Sequence, residues 1–218
     1  MYSNVQPFIN SDLTNCFQSQ YTEIESLLFN LLDSPVKYTK HIGGTHHFKY
    51  STEPILDILV GVENLHDITS LDEKRLNYVG FYRLHHKYTK KVMMAKFNNF
   101  HELKQQVRLH IIQMNTQTFE SYLALDYLLS TNDDIALQFN TKKHQILQHS
   151  LTIRQYEMQK QQYFEKLCKK ILITTIMPYF IIILILILSF QFSQMNFKIG
   201  IILYDIKDMR KDVLRSDK

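Results

Sequence analysis

The nine residues Pro54–Val62, PILDILVGV, restrict the fold of this chain more than any other stretch. Apart from Pro54 and Asp57 they are apolar or glycine, and Ile55, Ile58, Val60 and Val62 are β-branched. A short run of this kind reads as a buried strand. A lone carboxylate inside it costs free energy unless something satisfies it, so Asp57 either works on a ligand or is held by the fold. Just upstream, Val36–Ile42 (VKYTKHI) alternates, with Val36, Tyr38 and Ile42 on one side and Lys37, Thr39 and His41 on the other. That is the pattern of a half-buried strand, and it runs into Gly43-Gly44.

The rest of the chain supplies the partners such strands need. Apolar residues at Tyr21, Ile24, Leu27, Leu28, Leu31 and Leu32 recur at a helical period, and Asp33-Ser34-Pro35 stops that helix. Residues 65–79 read as a helix ending at Gly80, a C-cap residue. The segment 81–97 reads as two strands around a basic turn near Lys87–Lys91, most simply a solvated hairpin tip, and 106–114 as a further strand. From Thr118 onward the chain reads as three helical stretches, the last from about Ile153. This order describes an α+β domain, a small mixed sheet with helices packed on it. With 218 residues the chain can bury a sizeable core. Its 25 Lys+Arg against 21 Asp+Glu, evenly spread, argue against a nucleic-acid partner. Cys16 and Cys168 lie far apart and suggest no disulfide framework.

Residues 171–190, ILITTIMPYFIIILILILSF, are apolar around every face of a helix. At ~1.5 Å per residue roughly 20 residues cross a ~30 Å hydrocarbon core, so this run is expected to be a transmembrane helix. Lys160, Lys166, Lys169 and Lys170 crowd its N-terminal side. The positive-inside rule then makes the protein single-pass with its N-terminal domain cytoplasmic. The expected division is an N-terminal extension (1–19), the α+β domain (20–167), the transmembrane helix (168–192) and a charged tail (193–218).

The strand, Gly43-Gly44-Thr45, the loop and the Pro54–Val62 strand together resemble the GrpB family, whose pattern here is roughly HIGSTAVPGLxxKPIIDILVGV. His41, Ile42, Gly43, Thr45, Pro54, Ile55 and Asp57–Val62 match it. Downstream, RLHII (Arg108–Ile112) is similar to the family's HLHVV, LDYLLSTNDDIALQFNTKKHQIL to its paired helices, and YEMQKQQYFEKL to its closing YxxxKxxFI. The resemblance covers about Gln20–Leu167 and implies a nucleotidyltransferase-like fold. It implies further that Gly43, Gly44 and Thr45 bind nucleotide phosphates through backbone N–H groups that no side chain obstructs. Asp57 then holds a divalent metal, Mg²⁺ or Mn²⁺. His110 is the candidate second ligand or acid/base, and Arg108 binds a phosphate or pairs with a carboxylate.

The departures from that pattern matter as well. Gly44 stands where the family has serine, Glu53 replaces a lysine, and position 59 offers leucine, not a second carboxylate. Two readings of function follow. One is metal-assisted transfer of a nucleotidyl or phosphoryl group by a membrane-anchored domain, with Asp57 and His110 catalytic. The other is a non-catalytic nucleotide- or protein-binding module with a degraded phosphate site. Restoring serine at 44 and lysine at 53 is expected to create nucleotide affinity if the second holds. Each residue also has a plain structural reading. Asp57 fits a hydrogen-bonded buried acid, His110 a satisfied histidine on a sheet face, Gly43-Gly44 a geometric turn, and Asp126 a local cap.

Overall fold

The computed structural model describes the backbone of residues 5–11, 16–68, 70–84, 90–99 and 101–216, without the side chains of 67, 70–72, 171–180, 183, 197, 200–201 and 204–216. The chain forms two compact units, Met1–Ile171 and Leu172–Lys218. The first unit begins with helix α1 (Cys16–Asn30), strand β1 (Val36–Ile42), the one-turn helix α2 (Gly44–His47) and strand β2 (Leu56–Val62). Helix α3 (Ser70–Tyr78) follows, then strands β3 (Phe81–Arg83), β4 (Lys91–Phe97) and β5 (Gln105–Gln113). Helices α4 (Gln117–Thr131) and α5 (Asp133–His149) complete it, together with the start of α6 (Ile153–Ser216).

The five strands form one mixed sheet in the order β1-β2-β5-β4-β3. β2 and β5 run parallel at its centre, and the other neighbours are antiparallel. A parallel pair needs a long crossover, and α3, β3 and β4 supply it. Helices cover both faces. Leu56, Ile58, Val60 and Val62 of β2 pack with Ile24 and Leu28 of α1 and Leu76 of α3. On the opposite face, Leu59 and Ile112 meet Phe119 and Tyr122 of α4 and Phe164 of α6. Both faces of β2 are therefore buried, as its composition requires.

Local chemistry sets the ends of these elements. Ser34 donates its hydroxyl to the Leu28 carbonyl (2.6 Å), closing α1 beside Asp33 at φ 47°. The side chains of Thr116 and Asn132 accept from the Phe119 and Ile135 amides, capping α4 and α5. In β1 the register shifts between Val36 and Tyr38. That bulge puts Val36 in the α1-side core while Tyr38 and Ile42 pack on the other face. The uninterrupted alternation expected for this strand is thereby corrected. The polar side fares unexpectedly too: Thr39 donates to Glu25 (2.6 Å), and Tyr21 stacks on His41, so α1 covers it.

The C-terminal expectation is corrected. Among the described residues no helix is long and apolar enough to cross a membrane. A span needs roughly 20 consecutive apolar residues to cross a ~30 Å core, and the side chains of 171–180 lie outside the described residues. The transmembrane helix, membrane contact through 171–190 and single-pass placement with a cytoplasmic N-terminal domain therefore do not stand. The basic turn is corrected in part. His85, His86 and Lys87 lie outside the described residues. Lys91, however, is no hairpin tip: it is buried at the start of β4 and donates to Tyr122 Oη (2.6 Å) and Gln161 Oε1 (2.9 Å).

Candidate functional site

Strand register brings the site together. Asp57 lies opposite Ile42 of β1 and Arg108 of β5, while Leu59 lies between Lys40 and His110. Side chains alternate across a sheet, so Asp57, Arg108 and His110 all point to the face covered by α4, α5 and the first turns of α6. A cavity of about 100 Å³ lies there. Tyr50, Tyr122, Phe139 and Phe164 give it an aromatic wall, and Glu53, Asp57, Arg108, Lys143, Glu157 and Lys160 a charged one.

The charged wall is almost fully paired. His110 Nε2 lies 2.9 Å from Asp57 Oδ1, with Arg108 Nη1 at 3.9 Å from the same oxygen. Arg108 also donates to Glu157 (3.2 Å) and to Gln105 (2.8 Å). Glu53 receives Lys143 Nζ on Oε2 (2.8 Å), and Lys160 Nζ (2.7 Å) and Tyr156 Oη (2.8 Å) on Oε1. Burial pushes the Asp57 carboxyl up, but the Arg108 guanidinium and the His110 bond outweigh it and hold it below its ordinary value. Burial likewise opposes ionisation of Glu53, and Lys160 and Lys143 override it. Burial lowers His110, offset only in part by Asp57, so the imidazole is neutral near pH 7 and its Nε2–H donates a hydrogen bond to the ionised carboxylate. Its Nδ1 is then buried without a partner among the described residues.

The glycine turn is built differently from a phosphate cradle. Gly43 adopts φ 80°, ψ −168°, a conformation that favours glycine, and leads into α2. Its N–H donates to Asp126 Oδ1 (2.8 Å), and Asp126 Oδ2 pairs with Lys40 (2.9 Å). Asp126 is thus a long-range clamp between α4 and the turn, not a local cap. Gly44 packs on Thr52, and a Cβ there would come within 2.7 Å of Thr52 Cγ2 and Oγ1. Thr45 turns inward, where its hydroxyl donates to the Ile55 carbonyl (3.2 Å) and meets His41 Nε2 (3.1 Å).

Of the residues nominated from sequence, Gly43, Gly44, Asp57, Arg108 and His110 line the one cavity, and Thr45 does not. A divalent metal fits this donor set poorly. Mg²⁺ demands about six oxygens and Mn²⁺ sites are similarly oxygen-rich. Here one Asp57 oxygen is taken, Glu53 is saturated, and Arg108, Lys143 and Lys160 crowd the space. Among the described residues no three His, Cys, Asp or Glu side chains are grouped to hold a metal.

Sequence reading missed Lys143, Tyr156, Glu157 and Lys160. One signal was available: the buried face of α5 runs Ala136, Phe139, Lys143, Ile146, so a lysine occupies an apolar helical stripe. Such a lysine needs a buried anion.

Next to the turn, burial holds the His41 pKa at about 4 and His47 likewise. A histidine depressed in the folded state contributes stability above its unfolded value near 6.5 and loses it as pH falls towards 4. His41 alone accounts for about 3 kcal/mol across that window. Urea unfolding at pH 7 and pH 4.5 is expected to show a larger acid loss in the natural chain than in His41→Gln. Equal losses would refute it.

Comparison with known proteins finds matches over this same domain. The family model described as GrpB protein matches residues 11–170. The glutamate-rich protein GrpB of Alkalihalophilus pseudofirmus is 28% identical over 120 residues, 55% of this chain and 69% of that protein. The crystal structure of the conserved protein GrpB from Enterococcus faecalis superposes with a TM-score of 0.59 and 25% identity, covering 73% of this chain and 94% of that one. A structure of Cid1 poly(U) polymerase bound to MgATP reaches a TM-score of 0.44 at 12% identity, over 63% of this chain and 43% of that one. That likeness is too low to equate the two folds.

Proposed function

Because this chain belongs to the GrpB family, we propose that its domain is a non-catalytic binding module, one that accepts a small organic ligand without metal and without phosphate at the glycine turn. The observation that supports this reading is the bond from the Gly43 N–H to the Asp126 carboxylate. A backbone N–H at a glycine turn is a phosphate donor only while it is open, and here an internal anion holds it. The remaining cations are engaged in the same way, Lys143 and Lys160 by Glu53 and Arg108 by Glu157. A triphosphate would have to displace three carboxylates that are tethered beside their partners, which tilts the competition against it.

Isothermal titration of the full chain with ATP or UTP and Mn²⁺ is expected to give no metal-dependent binding. Asp126→Ala frees the Gly43 N–H and Lys40 together, and it is expected to gain affinity for inorganic triphosphate. No gain in a folded Asp126→Ala protein counts against the reading. Metal-dependent nucleotide binding by the natural chain, lost in Asp57→Asn, overturns it in favour of nucleotidyl or phosphoryl transfer, for which the ionised Asp57 beside His110 is the supporting feature.

A further inference from the structure

Most of the charge around the cavity is already spent, and what remains has one sign. Glu53 and Asp126 have both carboxylate oxygens bonded. Arg108, Lys143 and Lys160 each have a carboxylate within 3.2 Å. Asp57 is bonded through Oδ1 to His110, while Oδ2 lies towards Gly43, 3.5 Å from where a Cβ would stand if glycine were replaced. Among the described residues no donor holds Oδ2, Asp57 lines the cavity, and its side chain remains 22% exposed. Glu157 is bonded through Oε1 and is also partly open, at 18%. Among the described residues the charged wall thus offers carboxylate oxygens of Asp57 and Glu157, acceptors that ask for donors.

The opposite wall is aromatic, with Tyr122 and Phe164 at 4.8 Å between ring centroids and Tyr50 edge-on to Phe139 at 5.0 Å. A cavity lined by both a carboxylate and aromatic rings favours a flat cation over an anion or an aliphatic chain. We propose that the pocket takes a compact planar aromatic cation, an amidine or ring-borne amine, with its N–H groups on Asp57 Oδ2 and its ring against Tyr122, Phe139 and Phe164. This assignment rests on the binding-module reading and names the ligand class for that same pocket. Arg108, Lys143 and Lys160 do not oppose such a ligand strongly, because each has a carboxylate at close range before the ligand arrives. Lys91, 5.3 Å from the Tyr122 ring centroid, is held by the neutral Tyr122 and Gln161 side chains and does not line the cavity.

Benzamidine, acetamidine, benzoate and phenyl phosphate, titrated separately into the full chain, separate the contributions. Benzamidine is expected to bind, with benzoate and phenyl phosphate giving no measurable heat. Asp57→Asn is expected to weaken benzamidine on the order of tenfold or more, the worth of a charge-assisted hydrogen bond. Phe164→Leu keeps the wall apolar but removes a ring. It is expected to weaken benzamidine several-fold and leave acetamidine unchanged, and so serves if Asp57→Asn does not fold. Preference for benzoate or phenyl phosphate, or benzamidine affinity indifferent to both variants, overturns the assignment. If benzamidine fails while Asp126→Ala still gains triphosphate affinity, only the ligand class falls. If the natural chain binds nucleotide with Mn²⁺, the reading beneath it falls.

Discussion

Glu53→Ala is expected to destabilise the folded chain by about 3–5 kcal/mol, the cost of leaving buried charge uncompensated. Glu53 is only 5% exposed and lies in the loop before β2, yet it receives Lys143 from α5 and both Tyr156 and Lys160 from α6. Without it, two ammonium groups share a buried space, and among the described residues Lys160 keeps one carboxylate, Glu157 at 3.1 Å. The effect is present in full at neutral pH. The two lysines hold the folded-state pKa of Glu53 well below the ordinary carboxylate value, so its contribution exists above that value and vanishes only as pH falls through the depressed one. Urea denaturation at pH 7 measures the loss. The double variant Glu53→Gln with Lys143→Met removes one charge of each sign and is expected to recover a large part of it. A Glu53→Ala loss under about 1 kcal/mol would mean that the cluster is not a structural joint.

Gly44→Ser, the change that makes this turn match the family pattern, is expected to cost about 1–3 kcal/mol through overpacking. The added Cβ meets Thr52, with Cγ2 and Oγ1 both at 2.7 Å and Cβ closer still. Thr52 cannot retreat easily, because its backbone pairs with Ile9 through two hydrogen bonds of 2.7 and 2.9 Å. Thr52→Gly removes the obstructing atoms, so the double variant is expected to be more stable than the sum of the two single losses predicts. Residues in contact typically show such coupling energies of about 0.5–3 kcal/mol. Additive losses would show that the turn relaxes by another route. The geometry also revises the expectation that serine at 44 and lysine at 53 would restore nucleotide affinity. Serine finds its space filled by Thr52, which itself lines the cavity. Lysine at 53 would face Lys143 and Lys160 with no anion between them.

Both positions are departures from the family pattern. At the level of single positions, Gly44 and Glu53 look like losses, a hydroxyl removed and a cation exchanged for an anion. In the folded chain each is half of a matched pair, Gly44 with Thr52 and Glu53 with Lys143 and Lys160. The matching residues are 8, 90 and 107 positions away. Asp126 is similar. In LDYL it has the look of a local cap, and only the docking of α4 on the sheet brings it to the Gly43 N–H, 83 residues away.

Local sequence was enough for the strands and the longer helices of the first unit, for the burial of β2 and for the family, because each depends on periodicity and turn chemistry within one segment. The one-turn helix α2, by contrast, stands where a loop was expected. The family resemblance nominated Asp57, Arg108 and His110, and the parallel pairing of β2 with β5 in the structure carries their side chains to one face. The bulge in β1, the inward course of Lys91 and the ion pairs lining the pocket were decided by tertiary structure alone. Charge satisfaction is a property of distance in space: whether an N–H is open to phosphate, or a carboxylate to a cation, depends on what a remote helix brings beside it.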